Sequence, residues 1–198
     1  MADRYDSFAT LAAHEIEGVD YRIRVDERAS PFVIIAPHGG LIERGTSEIA
    51  AAIAADRFSL YCFEGLMQRA LGASLHIAST RFDEPRALRL VAASEMAIGV
   101  HGRIDGIDKA SIWVGGLYES LRDAIRDALT NAGFKAKAVG EGHRLAGRDP
   151  ANICNRCRRG AGVQLELPMT LRISLANDDS RRDLLANAVR SAVEQENK

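Results

Sequence analysis

A glycine turn between a strand and a helix constrains this chain more than any other stretch of its sequence. The apolar run at residues 32–36 predicts a buried strand, and the run after the turn predicts a helix that Thr46 or Ser47 can cap. His38 and Glu43 lie between these two elements, beside a pair of glycines. Because ligands in open α/β sheets bind beyond the carboxyl ends of strands, this turn is where we first look for a functional site.

Short apolar strands alternate with amphipathic helices along the whole chain. Strands are predicted at 21–25, 32–36, 60–63, 75–79, 96–100, 112–114, 135–139, 162–167 and 169–175, and helices at 5–17, 46–56, 86–93, 118–131 and 178–195. This alternation predicts an α/β fold, with one domain over residues 1–198 and helices flanking a twisted, mixed and mostly parallel sheet. Residues 140–160 lack apolar periodicity, which predicts a long loop of the kind that often carries function.

The composition restricts the partners and the compartment. The chain has 198 residues and a net charge of −1, so it has no general attraction to nucleic acid or to anionic membranes. Its longest apolar run falls far short of the roughly 20 residues that span a bilayer. The N-terminus also lacks the basic and apolar segments of a signal peptide. We therefore expect a cytoplasmic protein without nucleic-acid or membrane partners, and the sequence leaves its oligomeric state open.

Three cysteines, Cys62, Cys154 and Cys157, give an odd count that argues against a disulfide framework. Cys154 and Cys157 form a single CxxC pair. A redox or structural zinc role for the pair stays open, but without a second pair we expect unpaired thiols.

Histidine and carboxylate side chains follow the ends of several predicted strands. His38 and Glu43 follow one strand and His101 follows another. Two histidines and a glutamate are a known ligand set for catalytic zinc, which keeps a fourth position open for water. Glu166 shares one face of its strand with Gln164 and could move a proton there. The alternatives are ordinary core or surface histidines and a solvent-facing glutamate.

The loop at residues 144–159 contains five arginines against one acid. A planar guanidinium group matches a carboxylate, so the loop suits a polyanionic substrate or a small one that bears a carboxylate. Arg156 in this loop and Arg81, just past the predicted strand 75–79, are the strongest candidates for such contacts. A solvated loop is the alternative. Nucleic-acid binding fits poorly, because aromatic residues do not interleave with these arginines.

Several ordered motifs resemble the zinc-dependent poly-γ-glutamate hydrolase family of bacteriophages and bacteria, over about residue 20 to the end. The motifs are Pro37-His38-Gly39-Gly40 with Glu43, Gly45-Thr46-Ser47-Glu48, Ser79-Thr80-Arg81-Phe82-Asp83-Glu84-Pro85, His101-Gly102, Asn152-Ile153-Cys154-Asn155-Arg156 and Gly162-Val163-Gln164-Leu165-Glu166-Leu167. Their order makes the resemblance far more specific than any one motif does.

The resemblance implies a zinc carboxypeptidase-like α/β fold that hydrolyses γ-glutamyl amide bonds with one zinc ion. His38, Glu43 and His101 would be the zinc ligands, and Glu166 would be the general base and acid. Arg81 would also take part in catalysis. A further set of side chains would face carboxylate or carbonyl groups of the substrate: Arg81, Asn152, Asn155 and Arg156.

The segment Cys157-Arg158-Arg159 departs from the family pattern and leaves the shape of the substrate loop open, but not the metal site. Two other functions also stay open. One is a zinc deacylase of small N-acyl amino acids, and the other is a non-catalytic phage or prophage protein that retains the fold. The motifs fix neither the physiological substrate nor the product length. Release at phage lysis would need no signal peptide.

Overall fold

The computed structural model describes residues 3–66 and 75–196. Its strands are β1 (Tyr21–Asp26), β2 (Phe32–Gly40), β3 (Ser59–Gly65), β4 (Met96–Arg103), β5 (Ile112–Gly116), β6 (Ala136–Ala138) and β7 (Val163–Pro168). Its helices are α1 (Phe8–Ala12), α2 (Thr46–Ala54), α3 (Pro85–Ala93), α4 (Glu119–Asn131), α5 (Met169–Ala176) and α6 (Asp179–Glu196), with a short 3-10 helix at Ile153–Arg156.

The strands form one sheet in the order β1-β3-β2-β4-β7-β5-β6. The neighbours β3-β2, β2-β4, β4-β7 and β5-β6 run parallel, and the two remaining pairs run antiparallel. Helices cover both faces, which is why β2 and β4 begin as continuous apolar runs, whereas β7 alternates apolar and polar residues. The predicted α/β fold with a mixed, mostly parallel sheet flanked by helices is confirmed.

Alternate residues of each central strand enter two separate cores. Ile34 packs into the core that contains α2, α4, α5 and α6, whereas Ile35 packs into the core that contains α1 and α3. Both side chains are fully buried, so each stabilises the fold by about 1.5–3 kcal/mol relative to exposure. Burial on both faces fixes the position of β2. The residues that directly follow its apolar run are therefore also held in a fixed position.

Three adjacent parallel strands, β2, β4 and β7, position the candidate site residues. His38 lies near the carboxyl end of β2, and His101 of β4 pairs directly with Glu166 of β7. Because the strands are parallel, their carboxyl ends meet at one edge of the sheet. The topology therefore brings residues that are 128 positions apart in the chain to one place.

Two predicted strands are absent from the residues that the structure describes. Residues 169–175, predicted as a strand, belong to helix α5, in which Leu171 and Leu175 are buried one turn apart while Ile173 is exposed. Residues 75–79, also predicted as a strand, follow an irregular path. The side chain of Asp3 accepts the N–H of Ala78 at 2.9 Å, so this segment bonds to the N-terminal residues instead.

The start of helix α2 also differs from the prediction. Its N-cap is Gly45, so neither Thr46 nor Ser47 caps the helix with a side chain. By contrast, α3 has Pro85 in its first turn as predicted, and the carboxylate of Glu84 accepts the N–H of Ala87. The Thr46 hydroxyl instead donates to the carbonyl of Glu43 at 2.8 Å and helps to close the turn before the helix.

Cys62, Cys154 and Cys157 are buried free thiols. Within residues 3–66 and 75–196, no helix combines the length and the apolar character needed to cross a bilayer.

Candidate metal and active site

The turn after β2 folds Glu43 back towards His38. The N–H of Glu43 donates to the carbonyl of His38 at 2.9 Å. Gly40 has a φ of 60°, and a Cβ atom there would lie 2.4 Å from the carbonyl oxygen of Gly65. Only glycine fits both the left-handed backbone and this close approach to β3. The glycine therefore allows the sharp turn that places the two side chains together.

The hydrogen bonds of His38 determine which of its nitrogens is available as a ligand. Its Nε2 lies 2.8 Å from the carbonyl oxygen of Ile77. Because a carbonyl only accepts, Nε2 carries the proton and Nδ1 keeps a lone pair. This Nδ1 lies 3.5 Å from Oε1 of Glu43 and 3.3 Å from Nδ1 of His101. A backbone carbonyl that fixes the tautomer in this way is the usual support of a metal-binding histidine.

Two of the three separations between candidate ligand atoms match those around a tetrahedral zinc ion. Two ligand atoms that each lie about 2.0–2.1 Å from such an ion are roughly 3.3–3.4 Å apart. The atoms of Glu43 and His101 lie at nearly that separation from Nδ1 of His38. Nε2 of His101 is buried against Gly99 and has no hydrogen-bond partner among the described residues. Two imidazoles and one carboxylate also form a donor set that zinc accepts, so these residues fit the metal.

A further histidine, His76, lies beside the same atoms. Ligand atoms of His38, Glu43 and His76 all lie within 4.8 Å of one another. However, the rings of His38 and His76 are stacked, with centroids 4.0 Å apart and planes 30° apart. An imidazole binds a metal through a lone pair in the plane of its ring, so two stacked rings do not aim at one ion. His76 and His101 are thus both candidates for the third ligand, and the ring orientation favours His101.

The apolar sequence around His76 predicts a structural residue within a strand. It does not indicate that the side chain of His76 lies beside His38. Its Nδ1 pairs with Oδ1 of Asp3 at 2.7 Å. Burial and the neighbouring charge of His38 lower the pKa of His76. The apolar pattern around residue 76 contains no signal for this position, because the contact depends on the N-terminal segment folding over the site.

The electrostatics of the site favour a carboxylate anion beside the histidines. Burial tends to raise the pKa of Glu43, but His38, His101 and the N–H of Gly102, which donates to Oε2 at 2.6 Å, lower it to about 2. Burial tends to lower the pKa of His38, and the Glu43 carboxylate outweighs burial and raises it. Burial and the charge of His38 lower the pKa of His101 to about 3. The Glu43 carboxylate therefore stays ionised beside the two histidines.

Glu166 stands beside this group on the neighbouring strand. Burial and the negative charge of Glu43 raise its pKa well above the usual value of a carboxyl group. Its Oε1 accepts a hydrogen bond from Nε2 of Gln164 at 3.0 Å, so the two side chains share one face of β7 as predicted. That face lines a cavity rather than open solvent. A carboxyl group with a raised pKa suits proton transfer near neutral pH.

A cavity of about 1000 Å³ opens over these residues. His38, Glu43, His101 and Glu166 line it, and the loop at 141–149 forms one wall. That wall carries two arginines. The guanidinium of Arg148 pairs with Glu119 at 2.6 Å, whereas Arg144 is exposed and makes no ion pair within the described part of the chain. Arg144 is therefore a cationic side chain on this wall that can meet an anion.

The structure brings Asn152 to the cavity, but not Arg81 or Arg156. Asn152 lines the cavity and is nearly fully buried. Arg81 lies outside, where it pairs with Asp3 at 2.8 Å and with Asp6. Arg156 lies outside too, and it donates to the carbonyls of Ala151 and Thr80 at 2.8 and 2.9 Å. Both guanidinium groups hold loops together in this arrangement.

Asn155 also acts within the loop rather than in the cavity. Its Nδ2 donates to the carbonyls of Gly147 and Asp149 at 2.8 and 2.9 Å, and its Oδ1 accepts the N–H of Gly162. These bonds join the two ends of the loop at residues 147–162. The long loop is thus an ordered wall of the cavity.

Comparison with known proteins gives close relatives of this chain. The model of the family described as poly-gamma-glutamate hydrolase matches residues 5–192. The SPbeta prophage-derived UPF0714 protein YoqZ of Bacillus subtilis (strain 168) is 40% identical over 177 residues, which are 89% of this chain and 62% of that protein. The UPF0714 protein YndL of the same organism is 38% identical over 173 residues, 87% of this chain and 67% of that protein. The chain thus spans about two thirds of the length of these relatives.

Solved structures give the same result. The structure of a bacteriophage poly-gamma-glutamate hydrolase superimposes with a TM-score of 0.90 at 32% identity and covers 98% of both chains. The zinc-free form of YndL superimposes with a TM-score of 0.90 at 32% identity, covering 98% of this chain and 99% of that one. N-formylglutamate amidohydrolase from Ralstonia eutropha, at 14% identity and a TM-score of 0.54, shares the fold. The family expected from the sequence motifs is therefore confirmed: the chain belongs to the poly-gamma-glutamate hydrolase family.

Proposed function

We propose that this protein hydrolyses the γ-glutamyl amide bonds of poly-γ-glutamate with one zinc ion. The observation that carries the proposal is the approach of ligand atoms on Glu43 and His101 to Nδ1 of His38, at 3.5 and 3.3 Å, in a cavity that Glu166 also lines. Membership of the poly-gamma-glutamate hydrolase family supports the polymer as the substrate.

His38, Glu43 and His101 would hold the zinc ion. Bound there, zinc supplies Lewis-acid chemistry, because it polarises a substrate carbonyl and lowers the pKa of water. The tautomer that Ile77 imposes on His38 and the N–H that Gly102 donates to Glu43 orient both ligands in advance. One relative, YndL, has been described in a zinc-free form, which supports zinc as the metal.

Glu166 would move the protons of the reaction. Hydrolysis of an amide requires a base that accepts a proton from water and an acid that donates one to the departing nitrogen. A single carboxyl group can do both in turn. Glu166 suits the task because it is buried beside His101 and its pKa is raised well above that of an ordinary carboxyl group.

Arg144 would bind a carboxylate of the substrate. Each glutamyl unit of the polymer carries one carboxylate, and a guanidinium can meet it with two parallel hydrogen bonds. Arg144 lines the cavity and is close enough for its charge to influence Glu166. The bonds of Arg81 and Arg156 to other parts of the chain support a structural role for these two arginines in place of the substrate contacts expected from the sequence.

A cleavage assay tests the proposal. The purified protein is loaded with zinc and incubated with poly-γ-glutamate, and polymer length is followed with chelator present and absent. We expect shortened polymer, loss of cleavage with chelator, and recovery when zinc is returned. A polymer that stays intact would refute the proposal. If small N-acyl amino acids were hydrolysed instead, the deacylase hypothesis would replace it.

A further inference from the structure

Two amide side chains connect the loop at residues 140–160 to Glu166. The Nδ2 of Asn152 donates to Oε1 of Gln164 at 2.9 Å, and the Nε2 of Gln164 donates to Oε1 of Glu166 at 3.0 Å. We propose that Asn152 and Gln164 are positioning residues that fix the orientation of the Glu166 carboxylate. This inference rests on the proposed function, in which Glu166 transfers protons.

The direction of these hydrogen bonds is set by backbone groups at both ends. At one end, the N–H of Cys154 donates to Oδ1 of Asn152 at 3.2 Å. At the other end, the carbonyl of Leu145 accepts from Nε2 of Gln164 at 3.1 Å. A backbone N–H only donates and a carbonyl only accepts. If either amide were turned over, oxygen would face oxygen or N–H would face N–H, so neither side chain can reverse.

The two amides border the cavity but have little access to water or free space. Gln164 is 3% exposed and Asn152 is 5% exposed. Gly147 has a φ of 62°, and a Cβ atom there would lie 2.3 Å from Cδ of Gln164, so the loop backbone presses directly on the amide. A buried polar group that loses its partner also incurs the full desolvation penalty. The amides are therefore held in one arrangement.

The consequence is that the two oxygens of Glu166 are not equivalent. Oε1 accepts the hydrogen bond from Gln164, whereas Oε2 takes none from any group in residues 3–66 and 75–196. Oε2 is the oxygen left to exchange protons in the cavity. A general base must be held in reach of the proton that it transfers, and a small misplacement lowers the rate strongly. Asn152 therefore acts on the site through its hydrogen bond to Gln164 rather than through contact with the substrate.

Gln164→Met tests the inference, because it keeps the length of the side chain and removes its donor. We expect kcat to fall about 10- to 100-fold, the effect of a misplaced catalytic group, while KM and zinc content stay close to wild type. Combined with Glu166→Gln, the same substitution should cause no further loss, since it acts through Glu166. An unchanged kcat, or an equal fall on both backgrounds, would overturn the inference.

Asn152→Asp is the second variant, and it leaves Gln164 intact. It replaces the Nδ2 donor by an acceptor, so Oε1 of Gln164 faces a carboxylate oxygen, and the repulsion should displace the amide and its hydrogen bond to Glu166. We expect the same loss of kcat; wild-type kcat in this variant would count against the inference. A crystal structure of the Asn152→Asp protein decides the point even if the polymer is not the substrate. A rotated Glu166 carboxylate supports the inference, and an unmoved one refutes it.

Discussion

His38 and His101 face each other through their Nδ1 atoms, 3.3 Å apart, from neighbouring parallel strands. The Nε2 of His38 donates to Ile77, which leaves its Nδ1 to face His101 and, at 3.5 Å, Oε1 of Glu43. Under the proposed function, these two imidazole nitrogens and the carboxylate of Glu43 are the ligands of the zinc ion. The effect of removing one of these imidazoles can therefore be predicted.

His38→Ala should abolish zinc binding. We expect the zinc content to fall from about one ion per chain to almost none, since two ligands alone hold zinc poorly. Metal analysis of the purified protein measures this, and circular dichroism checks that the variant is folded. His14→Ala is the matched control, because His14 is exposed on the N-terminal segment, where it bonds to the carbonyl of Thr10 and does not line the cavity. Equal zinc in both variants would place the metal elsewhere.

Gly40→Ala should destabilise the protein more than Gly106→Ala does. Both glycines have a positive φ, 60° and 53°, so both substitutions incur a similar backbone strain. Only at Gly40 would the new methyl group collide with the backbone of Gly65, whereas Gly106 has nothing within 4 Å. We expect a difference of about 1–3 kcal/mol in the free energy of unfolding. Urea titration measures it, and equal values would show that the turn tolerates a side chain.

Arg144→Ala should weaken substrate binding. Loss of a charge-assisted hydrogen bond, worth about 1.5–3 kcal/mol, should raise KM for the polymer by 10-fold or more. Arg158→Ala is the control, since Arg158 belongs to the same basic loop but lies outside the cavity, 4.0 Å from Glu95. Steady-state kinetics at low and high salt measure the effect. If KM rose for Arg158→Ala and not for Arg144→Ala, the assignment of the cationic contact would be wrong.

The metal-free protein should lose stability as the pH falls, partly through His101. The pKa of His101 is lowered from 6.5 to about 3 in the folded state. Between these two pH values the unfolded chain binds a proton at His101 and the native chain does not. The contribution of His101 is complete above pH 6.5 and is lost as the pH falls towards 3. Unfolding of chelator-treated protein at about pH 7 and about pH 4.5 measures the loss. His101→Gln should reduce this loss and His14→Ala should not; an equal loss in the wild type and both variants would show that His101 is not its cause.

Much of the site could be predicted from the sequence. The residues that follow the strand at 32–36 and those of the strands at 96–100 and 162–167 were expected at one edge of the sheet. The structure places His38, His101 and Glu166 there on the adjacent strands β2, β4 and β7. The prediction succeeded because the carboxyl ends of neighbouring parallel strands must meet. Local sequence was enough to identify the strands, since the runs at 32–36 and 96–100 are apolar throughout and the run at 162–167 alternates apolar and polar residues.

What could not be predicted depends on contacts between distant segments. The sequence Met169-Thr170-Leu171-Arg172-Ile173-Ser174-Leu175 alternates like a strand, yet it also places Leu171 and Leu175 one helical turn apart. Leu171 and Leu175 pack in one core with α6 and the strands, and this packing selects the helical period over the strand period. Likewise, the sequence around Arg156 does not indicate that its guanidinium group donates a hydrogen bond to the carbonyl of Thr80. The path of the loop determines which of its arginines face the cavity.

The most direct test of the proposed mechanism is polymer cleavage by Glu166→Gln measured together with its zinc content. Glu166 lines the cavity but is not among the proposed ligands, so the variant should bind as much zinc as the wild type. Its kcat on poly-γ-glutamate should fall by at least about 100-fold, because general acid–base catalysis contributes roughly 10²–10⁴-fold. Wild-type cleavage by a fully zinc-loaded Glu166→Gln protein would contradict the mechanism.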